Sequence, residues 1–310
     1  MSRFAIACLA VVGLGCSRAQ GVEDKELGNL VVAPAVSTEP ITTARAAAEP
    51  AELSRALMQP FDAVIAALGP HRTQMTQVTV VEEAGKVTSE LTETTVIELG
   101  DKAAYHGTYG NTADYGREVI FDGTSLFLRP RYQRWHQRAP ESPTEAAEQR
   151  DKFYAPIAAT WELVAPAVEL IDKGNADVAG RSGRKIEIRK APKAAPNPPE
   201  KLVQRKWREA RVIEDVSGEV ILDAEKAVPL SVKLAGTISF MRDGRRFNMK
   251  VTLTSAVTAV SASAIAPPDK AEVVATPERL REVDDRDKLL EGIAPPTRRQ
   301  GESAQESATP

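Results

Sequence analysis

The chain has 310 residues, with 40 Lys and Arg residues against 43 Asp and Glu residues, for a formal net charge of −3. This length allows a core large enough for independent stability, and the near-neutral charge argues against a general affinity for nucleic acid. The two cysteines exclude a disulfide framework, and the three widely spaced histidines argue against a His/Cys metal site.

The N-terminal residues predict export. Arg3 precedes an uncharged, mostly apolar run from Phe4 to Gly15. This run has the length of a signal-peptide core and is too short for a membrane-spanning helix. Residues 1–15 are therefore predicted to be a signal peptide.

The apolar run ends in Gly13-Leu14-Gly15-Cys16, which resembles the lipobox of bacterial lipoproteins. The resemblance implies that the thiol of Cys16 takes a diacylglycerol, that fatty acyl chains such as palmitate are attached, and that the chain is anchored in a membrane. The alternative is ordinary signal-peptide cleavage after Ala19, because Ser17-Arg18-Ala19 is a small-x-small site.

Aromatic residues mark the predicted domain. Apart from Phe4, all of them lie between Phe61 and Phe247. Residues 16–50 are rich in Ala, Thr, Pro and Glu, and we expect the lipidated Cys and a flexible tether there. The folded domain is predicted over 51–263. Residues 264–310 are expected to hold a polar helix at about 276–291 and then a disordered tail.

Two stretches of the domain predict helices. In the first, Pro60 predicts a kink, and apolar residues recur at helical spacing: Leu53, Leu57, Phe61, Val64 and Leu68. The second begins at the capping box Ser142-Pro143-Thr144-Glu145. Its apolar positions run towards Gly174, and Pro156 and Pro166 predict that it is bent or split: Phe153, Ile157, Trp161, Val164, Val168 and Ile171.

The remaining runs predict strands. Residues 86–99 have strand character, and Asp122-Gly123 lies between two apolar triplets as in a hairpin. Short strands are expected at 185–188 and 218–224, and two long alternating strands at 230–241 and 247–254. We predict an α+β fold in which helices cover the concave face of a curved antiparallel sheet, while the other face of the sheet is exposed to solvent.

Three local sequence patterns follow one another along the chain. The hairpin 120–128 precedes the capped helix, residues 178–181 lead into 185–188, and Val220–Ala224 is followed by Pro229-Leu230. With the lipobox, this order resembles the bacterial periplasmic lipoprotein-carrier superfamily (LolA/LolB-like). The resemblance implies a half-barrel closed by helices around an apolar cavity that accepts acyl chains. The Pro-rich insert at 191–199, the tether and the tail are not part of that family pattern.

Aromatic and basic clusters supply candidate binding residues. One hypothesis places six aromatics at a cavity wall or mouth, and the alternative is ordinary packing: Tyr105, Phe121, Phe127, Trp135, Phe153 and Trp161. Residues 181–211 contain 11 basic and 3 acidic residues, and a second cluster comprises Arg129, Arg131, Arg134 and Arg138. Such charge suits an anionic headgroup, envelope polymer or acidic partner, or simply a solvated surface.

The sequence contains no nucleophile elbow, phosphate loop, dinucleotide fingerprint or zinc motif in the predicted mature part. We therefore expect no catalytic residue, cofactor, metal or nucleic-acid partner. The predicted function is a membrane-anchored periplasmic lipoprotein that binds a lipid or an acylated protein. The alternative is a non-catalytic protein-interaction module of the envelope with a filled interior.

The residue after Cys16 bears on the expected location. Lipoproteins retained at the inner membrane carry Asp at that position, whereas this chain has Ser17. By analogy, we expect the periplasmic face of the outer membrane. Inner-membrane anchoring and a soluble periplasmic form are the alternatives.

Overall fold

The computed structural model describes residues 39–261 and 264–275. The predicted signal peptide, Cys16, most of the predicted tether, the helix expected at 276–291 and the tail after it lie outside the described residues.

The described residues form one mostly antiparallel sheet of 12 strands. Its order is β12-β6-β5-β4-β3-β2-β1-β11-β10-β9-β8-β7, and β12 runs parallel to β6. The strands are β1 (Arg72–Glu83), β2 (Lys86–Leu99), β3 (Tyr105–Asn111), β4 (Gly116–Phe121), β5 (Leu126–Pro130), β6 (Trp135–Arg138), β7 (Val168–Val178), β8 (Arg181–Lys190), β9 (Val212–Asp223), β10 (Pro229–Arg242), β11 (Arg245–Ala259) and β12 (Val273–Ala275).

The sheet is open and curved. Strand β7 contacts β11, although the two lie four positions apart in the strand order. Four positions of a flat sheet would separate them by about 19 Å. This end of the sheet therefore curls strongly, while its edge strands β7 and β12 do not pair with each other. The predicted long strands and the Asp122-Gly123 hairpin are confirmed.

Within the described residues, five short α-helices accompany the sheet: α1 (Thr43–Ala48), α2 (Pro50–Leu57), α3 (Phe61–Leu68), α4 (Glu145–Asp151) and α5 (Pro156–Val164). The first predicted helix, with its kink at Pro60, is two helices in the structure, because residues 58–60 separate α2 from α3.

The folded part begins earlier than the sequence predicted. Helix α1 lies within the predicted tether 16–50, yet Ala46 and Ala47 are buried. The hydroxyl of Thr43 donates a hydrogen bond of 2.8 Å to the carbonyl of Asp223. Small alanine side chains let α1 pack closely, so α1 belongs to the same compact unit as the sheet, although the sequence predicted the folded domain from residue 51.

The second predicted helix is shorter than expected, and this part of the prediction was wrong. Helix α5 ends at Val164, a 3₁₀ turn follows at 165–167, and Val168–Val178 is strand β7. Pro166 has no N–H to continue a helical ladder. Strand β7 instead pairs with β8, with Val168 opposite Lys190.

Residues 264–275, which the sequence prediction placed outside the domain 51–263, include strand β12. Ile265 and Val273 pack against a small apolar cluster formed by Ile120, Phe127 and Trp135. These three residues lie on the face of the sheet opposite to the helices, which we call the outer face. The segment therefore covers apolar surface that would otherwise be exposed.

Two glycines let the helices approach the other face, which we call the inner face. A Cβ atom at Gly107 would lie 2.5 Å from Cε2 of Phe153, and one at Gly236 would lie 2.6 Å from Cγ1 of Val164. The segment between α4 and α5 therefore packs directly on β3, and the end of α5 packs directly on β10.

An ion pair joins β6 to α4. The guanidinium of Arg138 contacts the carboxylate of Glu145, and their side chains are only 2% and 11% exposed. Glu145 also accepts a hydrogen bond of 2.6 Å from the backbone N–H of Glu141. The desolvation of both charges is thus offset only while both partners are present.

We expect Glu145→Gln to lower the free energy of unfolding by about 3 kcal/mol, because the buried Arg138 would lose the carboxylate that it contacts. Urea denaturation measures this. Glu148→Gln, at an exposed position of the same helix, is the matched control and should cost less than about 0.5 kcal/mol. Equal losses of unfolding free energy in the two variants would contradict a stabilising role of the Arg138–Glu145 ion pair.

Candidate functional site

The strands are much longer than the helices that lie on them. Strands β10 and β11 have 14 and 15 residues, which corresponds to about 45–50 Å. Helices α3 and α5 have 8 and 9 residues, which corresponds to about 12–14 Å. The helices therefore cover only part of the inner face.

The covered half of the inner face is filled by side chains. Met75, Ile97 and Leu253 are each at most 1% exposed. The indole N–H of Trp161 donates a hydrogen bond of 2.9 Å to the hydroxyl of Ser54, which ties α5 to α2. Apolar packing and this bond hold the helices to the sheet.

Four of the six predicted ligand-binding aromatics belong to this core. Tyr105, Phe153 and Trp161 are each at most 1% exposed. Phe121 is half-buried, with its ring centroid 6.1 Å from that of Tyr105. The hydroxyl of Tyr105 donates a hydrogen bond of 2.9 Å to the carbonyl of Ala146 in α4. These residues pack the sheet against the helices.

The other two predicted aromatics lie elsewhere. Phe127 and Trp135 belong to the outer-face cluster with Ile120, because side chains alternate between the faces along each strand. Phe127 pairs with Ile120, whereas the neighbouring pair Leu126 and Phe121 points to the inner face. The structure thus divides the six candidates between the two faces.

The uncovered part of the inner face, which we call the open half, retains apolar side chains. These residues are half-buried, and together with Thr79 they continue the rows of core residues beyond the ends of the helices: Val81, Leu91, Phe240 and Phe247. Sequence reasoning did not single them out for binding. The alternation in 230–241 and 247–254 predicted the face of the sheet on which Phe240 and Phe247 lie. No sequence signal marked where the helices would end.

One side of the open half is lined by three aromatic rings in a row. Trp207 lies 4.4 Å from Phe240, and Phe240 lies 5.6 Å from Phe247 in a stacked arrangement, measured between ring centroids. Trp207 comes from the connection between β8 and β9, residues 191–211, which includes the predicted Pro-rich insert. This connection therefore contributes directly to the rim of the open half.

Arg211 fixes the connection to the end of α5. Its guanidinium donates hydrogen bonds of 2.8 Å to the carbonyl of Glu162 and 3.0 Å to that of Leu163. The last carbonyls of a helix lack intrahelical partners and carry partial negative charge. Burial lowers the pKa of Arg211, and these bonds stabilise the buried cation. Trp207 is thereby positioned next to Phe240.

A polar network marks the border between the covered half and the open half. The hydroxyl of Thr160 in α5 donates to Oε1 of Gln77 at 3.1 Å, and Nε2 of Gln77 donates to Glu93 at 3.4 Å. The hydroxyl of Tyr109 donates to the other oxygen of Glu93 at 2.5 Å. Burial and this bond raise the pKa of Tyr109 to about 12, so the phenol keeps its proton at neutral pH.

The predicted basic clusters are largely neutralised by nearby carboxylates. In segment 181–211, ion pairs join Arg181 to Asp223, Arg184 to Asp172, Lys185 to Glu219, Arg189 to Glu187 and Lys206 to Glu209. In the second cluster, Arg129 pairs with Glu118, Arg131 with Asp114 and Arg138 with Glu145. The local excess of positive charge is therefore smaller than the sequence count indicates.

His71 is a buried titratable group beneath α3. Its Nδ1 lies 2.8 Å from the carbonyl of Gly69, and its ring meets that of Phe61 edge-on at 6.1 Å. Nε2 has no hydrogen-bonding partner among the described residues. Burial, assisted by the positive charge of Arg181, lowers the pKa of His71. The folded state therefore favours the neutral ring.

Within 39–261 and 264–275, no three His, Cys, Asp or Glu side chains converge as a metal site would require. In the same part of the chain, no helix has the length and apolarity needed to cross a bilayer.

No family model matches the sequence, and no curated protein matches it. Several solved structures do match, and one of them is a protein of the superfamily that the sequence resembles. A LolA superfamily protein from Nitrosomonas europaea has 8% identity over 75% of this chain and 97% of its own, with a TM-score of 0.21. The lipoprotein LppX of Mycobacterium tuberculosis has 13% identity over 69% of this chain and 100% of its own, with a TM-score of 0.27.

The crystal structure of MucB also matches, with 15% identity over 68% of this chain and a TM-score of 0.20. This chain spans 60% of the MucB chain, which is less than two thirds of its length.

The neutral state of His71 makes stability depend on pH. Because its pKa is lower in the folded state than its unfolded value of about 6.5, its stabilising contribution is present above that value and is lost as pH falls through the folded pKa. We expect the wild type to lose more unfolding free energy than His71→Phe between about pH 7.5 and about pH 5. Urea denaturation at both pH values measures this, and parallel losses would contradict it.

Proposed function

We propose that the protein binds the apolar part of a lipid or of an acylated protein on the open half of its inner face. One observation carries the proposal: the apolar rows of the sheet continue past the ends of the helices, where Val81, Leu91 and Phe240 remain half-buried. Covering such surface contributes about 25 cal/mol per Å². The role is binding without catalysis.

This location differs from a cavity beneath the helices. Phe153 and Trp161 fill the space between helices and sheet, so a ligand there would have to displace the core. The curl between β7 and β11 supports a concave inner face, which suits an elongated apolar group better than a flat face does.

The filled core also favours a second candidate, a protein-interaction module of the envelope. In that case the open half would contact a protein surface and not an acyl chain. Interface cores are enriched in aromatic residues, and the row formed by Trp207, Phe240 and Phe247 suits that role as well. Binding of a small fatty-acid probe separates the two candidates.

Anchoring is the second part of the proposal. The lipobox-like residues before Cys16 support lipidation of this thiol, and two or three acyl chains would hold the protein on a membrane. We place the protein on the periplasmic face of the outer membrane. Mass spectrometry of the N-terminal peptide tests the anchor, and cleavage after Ala19 without lipid would refute it.

Two adjacent valines of β1 provide a matched test of the site. Val81 faces the open half, whereas Val80 faces the outer surface opposite Lys250, and both are half-buried. We expect Val81→Asp to weaken binding of a fluorescent fatty acid by about tenfold or more, because the ligand would have to desolvate a carboxylate. Val80→Asp should leave affinity nearly unchanged. Fluorescence titration measures both, and thermal melts by circular dichroism confirm folding.

Two results would overturn the lipid-binding proposal. One is the absence of probe binding by the wild type together with no co-purified lipid in native mass spectrometry, which favours the interaction module. The other is equal weakening by Val80→Asp and Val81→Asp, which would remove the open half as the site.

A further inference from the structure

Two arginines lie opposite each other where the open half ends, at the turn between β10 and β11. Arg242 and Arg245 are direct partners in the register of this hairpin. The turn between them consists of Asp243 and Gly244, with φ values of 52° and 73°. Positive φ at both central residues is typical of the tight two-residue turn that matches the twist of its strands. The turn therefore holds the two arginines side by side.

Both arginines continue the apolar rows of the open half. Phe240 and Phe247 pair with each other on the inner face. Each arginine lies two residues from one of these phenylalanines, and side chains two residues apart share a face of a sheet. The guanidinium carbon of Arg245 lies 5.5 Å from the centroid of the Phe247 ring, a distance at which a cation and an aromatic ring attract each other. The positive charge is therefore adjacent to the aromatic row.

The two guanidinium groups retain unused donors. Nη1 of Arg245 donates hydrogen bonds of 3.1 and 3.4 Å to the carboxylate of Glu83. Among the described residues, Arg242 makes no hydrogen bond through its guanidinium, and its Nε lies 3.7 Å from the carboxylate of Asp243. The side chains of Arg242 and Arg245 are 68% and 61% exposed, so an anion can reach them. Planar guanidinium donors match the oxygens of a carboxylate or a phosphate.

The charges at this end of the inner face favour an anion. Like charges directly opposite each other in a sheet are destabilising, and Arg242 and Arg245 are such a pair. Lys86 adds a third cation, because it lies opposite Glu83 in the register of β1 and β2. Among the described residues at this end, the three cations exceed the two carboxylates, which belong to Glu83 and Asp243. An anion between the arginines would relieve their repulsion.

We propose that Arg242 and Arg245 bind the anionic headgroup, a carboxylate or a phosphate, of an amphiphile whose apolar chain lies on the open half. This inference rests on the proposed function and deepens it, because it names the class of ligand and the direction in which the ligand lies. The headgroup remains at the exposed turn, and the chain runs from the turn towards the polar border.

The path from the turn to the border is lined by apolar side chains. Val81 lies one strand across and two residues along from Phe247, and Leu91 lies one further strand across and two further residues along. With about 4.8 Å between strands and about 3.4 Å per residue, this diagonal is about 17 Å long, which a long acyl chain can span. Glu93 of the polar border follows Leu91 by two residues, so the apolar path ends there.

A pair of probes that differ only in charge tests the inference: dansylaminoundecanoic acid and its methyl ester, titrated into the purified full chain at low ionic strength. We expect the wild type to bind the acid about fivefold more tightly than the ester, as exposed charge pairs provide. Arg242→Gln should reduce this preference to less than about twofold. The affinity of this variant for the ester should be unchanged, which also shows that the variant is folded.

The matched control is Arg246→Gln. Arg246 belongs to the same hairpin, and its side chain is 68% exposed, like that of Arg242. It lies on the outer face, with Nη2 3.5 Å from the carboxylate of Glu214. Both variants remove one positive charge, so a general effect of net charge would change the preference equally in the two. We expect Arg246→Gln to keep the preference for the acid.

The outcomes separate the two proposals. If neither probe binds the wild type, the proposed function fails. If acid and ester bind equally, or if Arg242→Gln and Arg246→Gln have the same effect, the headgroup role of the arginines is overturned while binding to the open half stands. Sodium phosphate and sodium chloride at equal ionic strength should reduce the preference equally, because both screen the charge. A larger reduction by phosphate would assign the arginines to a free anion and overturn the headgroup role.

Discussion

The central constraint on this structure is the mismatch between its strands and its helices. A strand of 15 residues is about 50 Å long, whereas α5, with 9 residues, is about 14 Å long. Among the described residues, helices of this length cover one part of the inner face, and no helix lies over the rest. The uncovered half keeps apolar side chains because the alternation of β10 and β11 continues to their hairpin turn.

The covered half shows why the ligand site is displaced from the space beneath the helices. Gly107 and Gly236 let Phe153 and Val164 rest on the backbone of the sheet. This close approach leaves no space there for an acyl chain. The same packing places the end of α5 where Arg211 binds its carbonyls, and so brings Trp207 against Phe240. Core packing and the rim of the open half are thus mechanically linked.

Much of the sheet followed from the sequence, because strict alternation in 230–241 and 247–254 and the turn at Asp122-Gly123 depend on local chemistry. The end of α5 did not follow, because Val168 and Ile171 continue the helical spacing although they belong to β7. The site was predicted only in part. Composition identified aromatic residues but not their faces, so Phe121 and Phe127 were grouped together.

The most direct test of the central claim is where an acyl chain contacts the protein. Trp207 lies at the rim of the open half, whereas Trp161 lies beneath the helices and Trp135 lies on the outer face. A nitroxide-labelled stearic acid should quench tryptophan fluorescence in the wild type, and Trp207→Phe should abolish most of that quenching. Quenching that persists in Trp207→Phe and disappears in Trp161→Phe would place the chain beneath the helices and contradict the account.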